Sequence, residues 1–551
     1  MRTLAPTANP ESLRKEAKAW LRALRAGDFA ARERLAAILP DAPADPGLRH
    51  VQLALAREFG LPGWTALQEA LAALALERRT TADLAAEMLR SAWGGDLSAG
   101  RRIFARRPEV ARESLHAAVL CGDSAEVERR LARDPSGATA KDGPLDWEPL
   151  LYLAYGRIAP AGNAVGLAEL LLDHGGDPSA RFDDGWGNAF TLITGVIGQG
   201  ETDRPEHPEA EALADLFIAR GADPFDTQAL YDTSVQRDDT RWLDHLWAKV
   251  AAHGGEGRWR EPASGLGGKH RLAALDYLLG NAVGFGHVRR VEWLLNHGAD
   301  GRAIHAYSGR PLRTEALLHG RGEIAVLLER HGAARNPLQG VQAFVAACMA
   351  GDLAEARAMA ARHPAYLQDP SALILAAQSG MEAVVALLLD LGAAPDAAPH
   401  DGKRALHWAA QNGHVGVAKR LLAAGSDVDR RGSPYDATPL GFAIHCGQPA
   451  VVDLLAPLSR DLFGLARAGR LDCLTALLSA EPELAGSRNK DGETLLFALP
   501  DDETVAAELA ELLLRHGVDP RARNAKGESA AEVATRRALD AAADCIAEAG
   551  G

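Results

Sequence analysis

The stretch Asp401-Gly402-Lys403-Arg404-Ala405-Leu406-His407-Trp408-Ala409-Ala410-Gln411-Asn412-Gly413-His414-Val415-Gly416-Val417-Ala418-Lys419-Arg420-Leu421-Leu422-Ala423-Ala424-Gly425-Ser426-Asp427-Val428-Asp429-Arg430-Arg431 decides the fold. Asp401-Gly402 supplies a tight turn, because Gly tolerates positive φ and Asp can bond the next backbone amides. A first short helix is predicted from about 405 to 412, with Ala409 and Ala410 small enough to let neighbouring helices approach. Gly413 ends it as a left-handed cap. A second helix follows from about 415 to 424, with Val417, Leu421 and Leu422 at helical spacing, and Gly425 ends that one. Such a pair is too small to bury its own apolar face. It must stack on copies of itself.

The stretch resembles one ankyrin repeat almost from end to end. The family's pattern runs Asp-Gly, Thr-Pro-Leu-His, Ala-Ala, Gly-His, a Val/Leu helix and Gly-Ala-Asp. Arg404-Ala405-Leu406-His407 departs from it at the Thr-Pro pair, whereas Thr438-Pro439-Leu440 carries that part intact. The resemblance implies an all-α solenoid of paired short antiparallel helices joined by β-turn-like loops. The second-helix ending recurs as His174-Gly175-Gly176-Asp177, Arg220-Gly221-Ala222-Asp223, His297-Gly298-Ala299-Asp300 and His516-Gly517-Val518-Asp519. Marker glycines 298 and 332 lie 34 residues apart, and 392 and 425 lie 33 apart, one repeat each. On that period about thirteen repeats fill 80–524, with 141–260 irregular and carrying insertions.

Residues 1–79 read as a helical N-terminal cap, with helices expected over 11–26, 28–39, 47–59 and 64–77. The run from Ala54 to Leu67 looks like the N-terminal segment of many bacterial ankyrin proteins, with Phe59, Leu61, Trp64 and Leu67 as its apolar cluster. Residues 525–551 read as a C-terminal capping unit.

Composition narrows the function classes. Apolar residues make up 47% of the chain and aromatics only 5%, as small, closely packed helices require. The net charge of −14, from 60 basic and 74 acidic residues, argues against a nucleic-acid binder, which needs a basic face. Cys121, Cys348, Cys446, Cys473 and Cys545 lie far apart. The first three sit near first-helix ends and are expected to be small buried thiols, reduced in a cytoplasmic setting. Met1 to Ser12 has no apolar signal region, and no run approaches the ~20 apolar residues of a membrane helix. His174, His297, His331 and His516 end second helices, where an imidazole meets the last carbonyls and the helix dipole. His116 and His407 occupy the Thr-Pro-Leu-His position, where the resemblance implies a bond to a neighbouring turn. No metal spacing or cofactor fingerprint is present. The expectation is a cytoplasmic monomer with no metal, cofactor, nucleic acid or membrane.

The repeat fails most over 141–260. Glu148-Pro149-Leu150-Leu151 fills the Thr-Pro-Leu-His slot, placing Trp147 at the turn and Tyr155 late in the first helix, with Arg157 beside them. In the ankyrin family those positions face the concave groove. The next unit opens Phe182-Asp183-Asp184-Gly185-Trp186-Gly187-Asn188, has a first helix over about 190–197 that contains Gly195, and continues into an insertion from Gly198 to Pro208 expected at the groove's edge. A third unit carries Tyr231 and Asp232, and a Gly-rich stretch from Gly254 to Gly268 follows. Aromatic and Arg residues anchor binding surfaces. Trp147, Tyr155, Arg157, Trp186, Asn188 and Tyr231 are therefore the expected contacts for a protein or peptide partner, with a small molecule as a further possibility over 141–240. In the Asp401 unit the groove positions are His400, Asp401, Lys403, Gln411 and Asn412.

Two functions fit these residues. The first is a non-catalytic scaffold binding a protein or peptide through its concave groove. The alternative is a solenoid enzyme, a hydrolase or lyase using Asp146, Glu148, Asp183, Asp184 and Asp232 for acid–base chemistry beside aromatic walls. An enzyme needs an enclosed pocket with convergent polar groups, whereas a binder needs an open groove.

Overall fold

A computed structural model describes residues 2–4, 10–160, 162–185, 187–201, 203–235, 237–263, 266, 270–398, 402–432, 436–537 and 539–550. The all-α fold expected from the repeat is the one observed. The chain divides into two compact units, 1–316 with 321–335, and 317–320 with 336–551.

In the second unit the repeat is regular. Ala405–Gln411 and Val415–Ala423 form the helix pair. Gly413 takes φ +76°, which lets the His414 amide turn back onto the Ala409 carbonyl at 2.9 Å. Ala405, Ala409, Ala410, Val417 and Leu421 are buried, in one apolar core with Leu373, Ala376, Leu388, Leu440 and Ala443 of the adjoining pairs. The small residues let Ser371–Gln378, Ala405–Gln411 and Pro439–His445 pack side by side. Where the family's Thr-Pro-Leu is intact, the Thr438 hydroxyl caps its helix by accepting from the Gly441 amide at 3.0 Å, and donates to Asp461 at 2.6 Å. Thr494 opens a shorter version, a 3-10 turn over Leu495–Phe497 before Glu503–Arg515. The closing segment forms a full pair, Ala530–Arg536 and Asp540–Gly550.

Three expectations for single residues need correction or limits. His400 and Asp401 lie outside the described residues. Lys403 is buried, with its ammonium 3.5 Å from the Trp408 ring centroid, 4.7 Å from that of Phe442 in the next pair, and bonded to Gln411, so it joins adjacent repeats. Cys121 and Cys348 are buried, and burial pushes both thiols up to about 12, but Cys446 is exposed. Its helix stops at His445, which leaves Cys446 as the cap residue on the outside.

The first unit begins with Pro10–Arg25, Phe29–Ile38, Leu48–Glu58 and Trp64–Arg78. They enclose a core of their own around Trp20, Leu24, Val51, Leu55, Leu67 and Leu71, on which Phe59, Leu61 and Trp64 pack. Arg34 lies 3.9 Å over the Trp20 ring and reaches Glu16 and Glu58. Helix pairs then follow from Thr81–Arg90 to Gly322–Arg330. Two of the four second-helix histidines make the expected bond: Nδ1 of His174 meets the Leu170 carbonyl at 2.9 Å and that of His297 the Trp293 carbonyl at 2.7 Å. His116 Nε2 reaches the Ala140 carbonyl at 2.8 Å. Among the described residues no helix is long and apolar enough to cross a membrane.

The irregular repeats fold differently from the pattern. Arg181–Asp183 pairs antiparallel with Ala189–Thr191, with Phe182 opposite Phe190. This hairpin consumes the first residues of the helix predicted over 190–197. The helix starts at Leu192 instead, with the Thr191 hydroxyl accepting from the Thr194 amide at 3.2 Å.

Candidate functional site

The site is built on an aromatic cluster. Trp147 and Phe182 lie 4.4 Å apart between ring centroids, Phe182 stacks on Phe190 at 5.4 Å, and Trp93 meets Phe190 at 5.0 Å and Tyr155 at 5.7 Å. Trp147 is 4% exposed and Tyr155 is 3% exposed. Trp147 is therefore a core residue and not a groove contact, while Tyr155, equally buried, still lines the cavity beside it. The physical reason is Trp93, unmarked in the sequence, which joins the hairpin phenylalanines to cover them. The Tyr155 hydroxyl donates to the Thr191 carbonyl at 2.8 Å, fixing the hairpin to the helix Pro149–Tyr155. Gly195 is required by the same packing: a Cβ there would sit 2.4 Å from the Tyr155 ring.

Arg157 is also structural. It donates to the carbonyls of Ala154 at 2.9 Å, Gly156 at 2.7 Å, Gly195 at 2.8 Å and Pro205 at 2.9 Å. Burial lowers its pKa to about 9. These bonds tie the insertion down. Gln199 and Arg204 exchange backbone bonds of 2.8 and 3.0 Å, and the His207 amide donates to the Val196 carbonyl at 2.8 Å. His207 is buried beside Arg157, and its pKa falls to about 4, so it stays neutral. Arg204 stacks over Trp93 at 4.2 Å and lies 5.3 Å from the Tyr155 centroid. The insertion thus packs on the cluster through Arg204.

Between insertion and cluster is a cavity of about 420 Å³. Five sequence-expected residues line it: Tyr155, Asp184, Asn188, Tyr231 and Asp232. Trp93, Phe190, Glu201, Arg204, Tyr277 and Tyr307 share the wall with them, and Thr194, Gly198, Gln199, Gly200 and Gln228 complete it. Asp146, Glu148 and Asp183 do not take part. Asp146 is exposed in its turn at φ 52°, Asp183 accepts from the Gly185 amide at 2.7 Å, and Glu148 precedes its helix half-buried, with its carboxyl pushed up by burial and by Asp177. Asp183 thus serves the backbone of its hairpin turn, whereas the Glu148 side chain makes no cap bond to the helix it precedes. Trp186 lies outside the described residues.

The lining is acidic and phenolic. Asp232 is 8% exposed, and burial raises its pKa to about 7 even though the Gln228 amide donates to it at 2.8 Å. Its carbonyl accepts from the Gly200 amide at 3.2 Å, and a Cβ on Gly200 would sit 3.0 Å from the Asp232 carboxyl carbon. Asp226 is buried, accepts from Thr191, from Thr194 at 3.0 Å and from the Ala229 amide at 3.0 Å, and is likewise raised by burial. Asn188 donates to Asp184 at 2.9 Å. The Tyr231 hydroxyl donates to Glu201 at 2.9 Å, and the Tyr277 and Tyr307 hydroxyls lie 3.3 Å apart. Burial pushes Tyr231 and Tyr277 up, so both stay neutral. Among the described residues no group of His, Cys, Asp or Glu could hold a metal ion.

Tyr277 and Tyr307 escaped the sequence reading because the Gly-rich stretch looked like an end to the irregular region. One signal was available. The chain has 7 tyrosines, and Tyr155, Tyr231, Tyr277 and Tyr307 all line this cavity.

Comparison with known proteins locates the repeat family. Residues 373–463 match the model described as ankyrin repeats, three copies. A 125-residue segment, 22% of the chain, is 30% identical to NF-kappa-B inhibitor delta from Mus musculus and spans 38% of that relative's length. Among solved structures, similarity extends to a chain of the complex between the Bd0816 predatory endopeptidase from Bdellovibrio bacteriovorus and the immunity protein Bd3460, at 22% identity over 32% of this chain and 96% of that one, with a TM-score of 0.26. It extends also to the ankyrin repeat domain of Bcl-3, a member of the IkappaB protein family, at 22% identity over 35% of this chain and 95% of that one, with a TM-score of 0.28.

Proposed function

We propose that this ankyrin-repeat protein is a cytoplasmic, monomeric binder of a protein or peptide partner, and that the cavity beside Tyr231 and Asp232 grips one side chain of that partner. The observation that carries this reading is the convergence of four tyrosines and three carboxyl groups on one cavity of about 420 Å³, where the repeats are irregular. Concave sites with a few placed polar groups are where ligands bind. A preformed wall limits the entropic cost of binding. Tyr231 and Tyr307 supply the accessible aromatic surface, in place of the buried Trp147.

The test is capture of the partner from the native host by the full chain, beside a Tyr231→Ala plus Tyr307→Ala variant. Loss of the captured protein from the variant, with its circular dichroism intact, is expected. Capture of the same protein at the same level by both would remove the site. The enzyme reading is favoured by one observation, a buried carboxyl near pH 7 in this cavity, Asp232, beside a second at Glu201. Turnover of any glycoside or ester by the wild type, abolished in Asp232→Asn, would establish it.

A further inference from the structure

Building on the binding role given to this cavity, we propose that its occupant is an organic cation on an alkyl stem: the ammonium head of a lysine side chain on the partner protein. Three observations converge on that class. The walls are aromatic, and ring faces attract cations. The charged groups placed among those rings are predominantly acidic, Asp184, Glu201 and Asp232 against Arg204. The cavity's chemistry is already exercised on one cation, since Arg204 stacks on Trp93 and Tyr155.

Arg204 occupies the Trp93 side. The rings of Tyr231, Tyr277 and Tyr307 form a separate aromatic wall, over which no cation lies among the described residues. Glu201 accepts from the Tyr231 hydroxyl at 2.9 Å, which draws electron density toward that ring and sets a carboxylate at its edge. Tyr307 is 49% exposed, so the cavity opens to solvent beside it. A lysine stem can pass Tyr307 and leave its ammonium near Glu201. An anionic occupant would meet three carboxyl groups with only a stacked guanidinium in compensation. The chain's charge of −14 steers basic partners in the same direction.

The experiment is ligand-observed saturation-transfer NMR on the full chain with blocked amino-acid probes. Nα-acetyl-lysine methylamide is compared with its ε-acetylated form, with the arginine analogue and with Nα-acetyl-glutamate methylamide. Binding of the lysine probe roughly tenfold tighter than the neutral ε-acetylated one is expected, the ratio that one exposed cation–ring contact plus a carboxylate gives. Glu201→Gln and Tyr307→Ala should each weaken the lysine probe several-fold, and Tyr307→Phe should restore it. Tighter binding of the arginine analogue keeps the cation and moves its source to arginine. Equal binding of the ε-acetylated probe, preference for the glutamate probe, or no saturation by any cation at ~10 mM overturns the proposal. Loss of the partner in the Tyr231/Tyr307 capture, without cation binding, would leave the site standing and remove only the cation. Cation binding with unaltered capture would do the reverse.

Discussion

Asp232 is held at a cost to stability, and that cost has a definite sign. Its folded pKa of about 7 lies above the ordinary carboxylate value, through burial first, with Asp226 and Glu201 adding to the rise and Gln228 and Arg204 opposing it. A raised carboxyl means that the folded state keeps a proton which the unfolded chain has released. The penalty is absent below pH ~4, grows as pH rises, and is complete above pH ~7. Asp232→Asn keeps an acceptor for Gln228 and removes the penalty. It should stabilise the protein by roughly 1–3 kcal/mol at pH 8, and by almost nothing at pH 4. Thermal melts of both proteins at the two pH values would show it, and an equal gain at both would rule out burial as the source. If a lysine ammonium enters the cavity, it favours the ionised carboxyl, so probe binding should strengthen as pH rises through 7. Gly200 sets a second limit at this scale. It has φ +75°, and its Cα faces Asp232, so Gly200→Ala should cost about 1 kcal/mol or more and weaken the lysine probe.

At the scale of the element, the insertion from Gly198 to Pro208 is a clasp. Arg157 grips it through the Pro205 carbonyl, and the adjoining Arg204 presses it onto Trp93. Arg204→Ala should leave the helix Leu192–Ile197 folded but speed amide exchange and proteolytic cutting within 198–208. Unchanged protection there would show that Arg157 and the backbone bonds hold the loop without Arg204. This element also marks how far the sequence could be read. Helix pairs are local: their signals are Gly caps, Ala pairs and Leu spacing within about 33 residues, so the repeat and its all-α stack were legible from Asp401 to Arg431. The site is not local. Trp93 and Tyr307 come from opposite ends of it in sequence, and nothing near Trp147 or Tyr155 announces that partners will bury them. The aromatic and acidic composition of the site was legible in Tyr155, Asp184, Asn188, Tyr231 and Asp232. Which of the flagged residues face the cavity, and which sit behind it as Trp147 and Arg157 do, was decided by contacts across more than one repeat.

For the molecule as a whole, stability is distributed along each unit and not concentrated in one core. In a stack, a repeat touches only its neighbours, so damage stays near its origin. Leu421 is fully buried in the most regular repeat. Leu421→Ala should cost ~2–4 kcal/mol, and hydrogen exchange should report the loss over 371–390, 405–423 and 439–455 before it reaches 530–550. Uniform loss over 336–551 would instead mean that this unit unfolds as one body. The aromatic cluster of the first unit offers a view of the site from outside. Trp93 and Trp147 lie 6.4 Å apart with their planes at 56°, near enough for the two indoles to absorb light as a coupled pair. Trp247 lies 5.0 Å from Trp259 and 5.6 Å from Trp293 and couples as well, so the Trp93–Trp147 share of the signed indole doublet is read as the difference between the wild type and Trp93→Phe. Because Arg204 rests on one indole of that pair, that share is a label-free optical gauge of whether the clasp is shut.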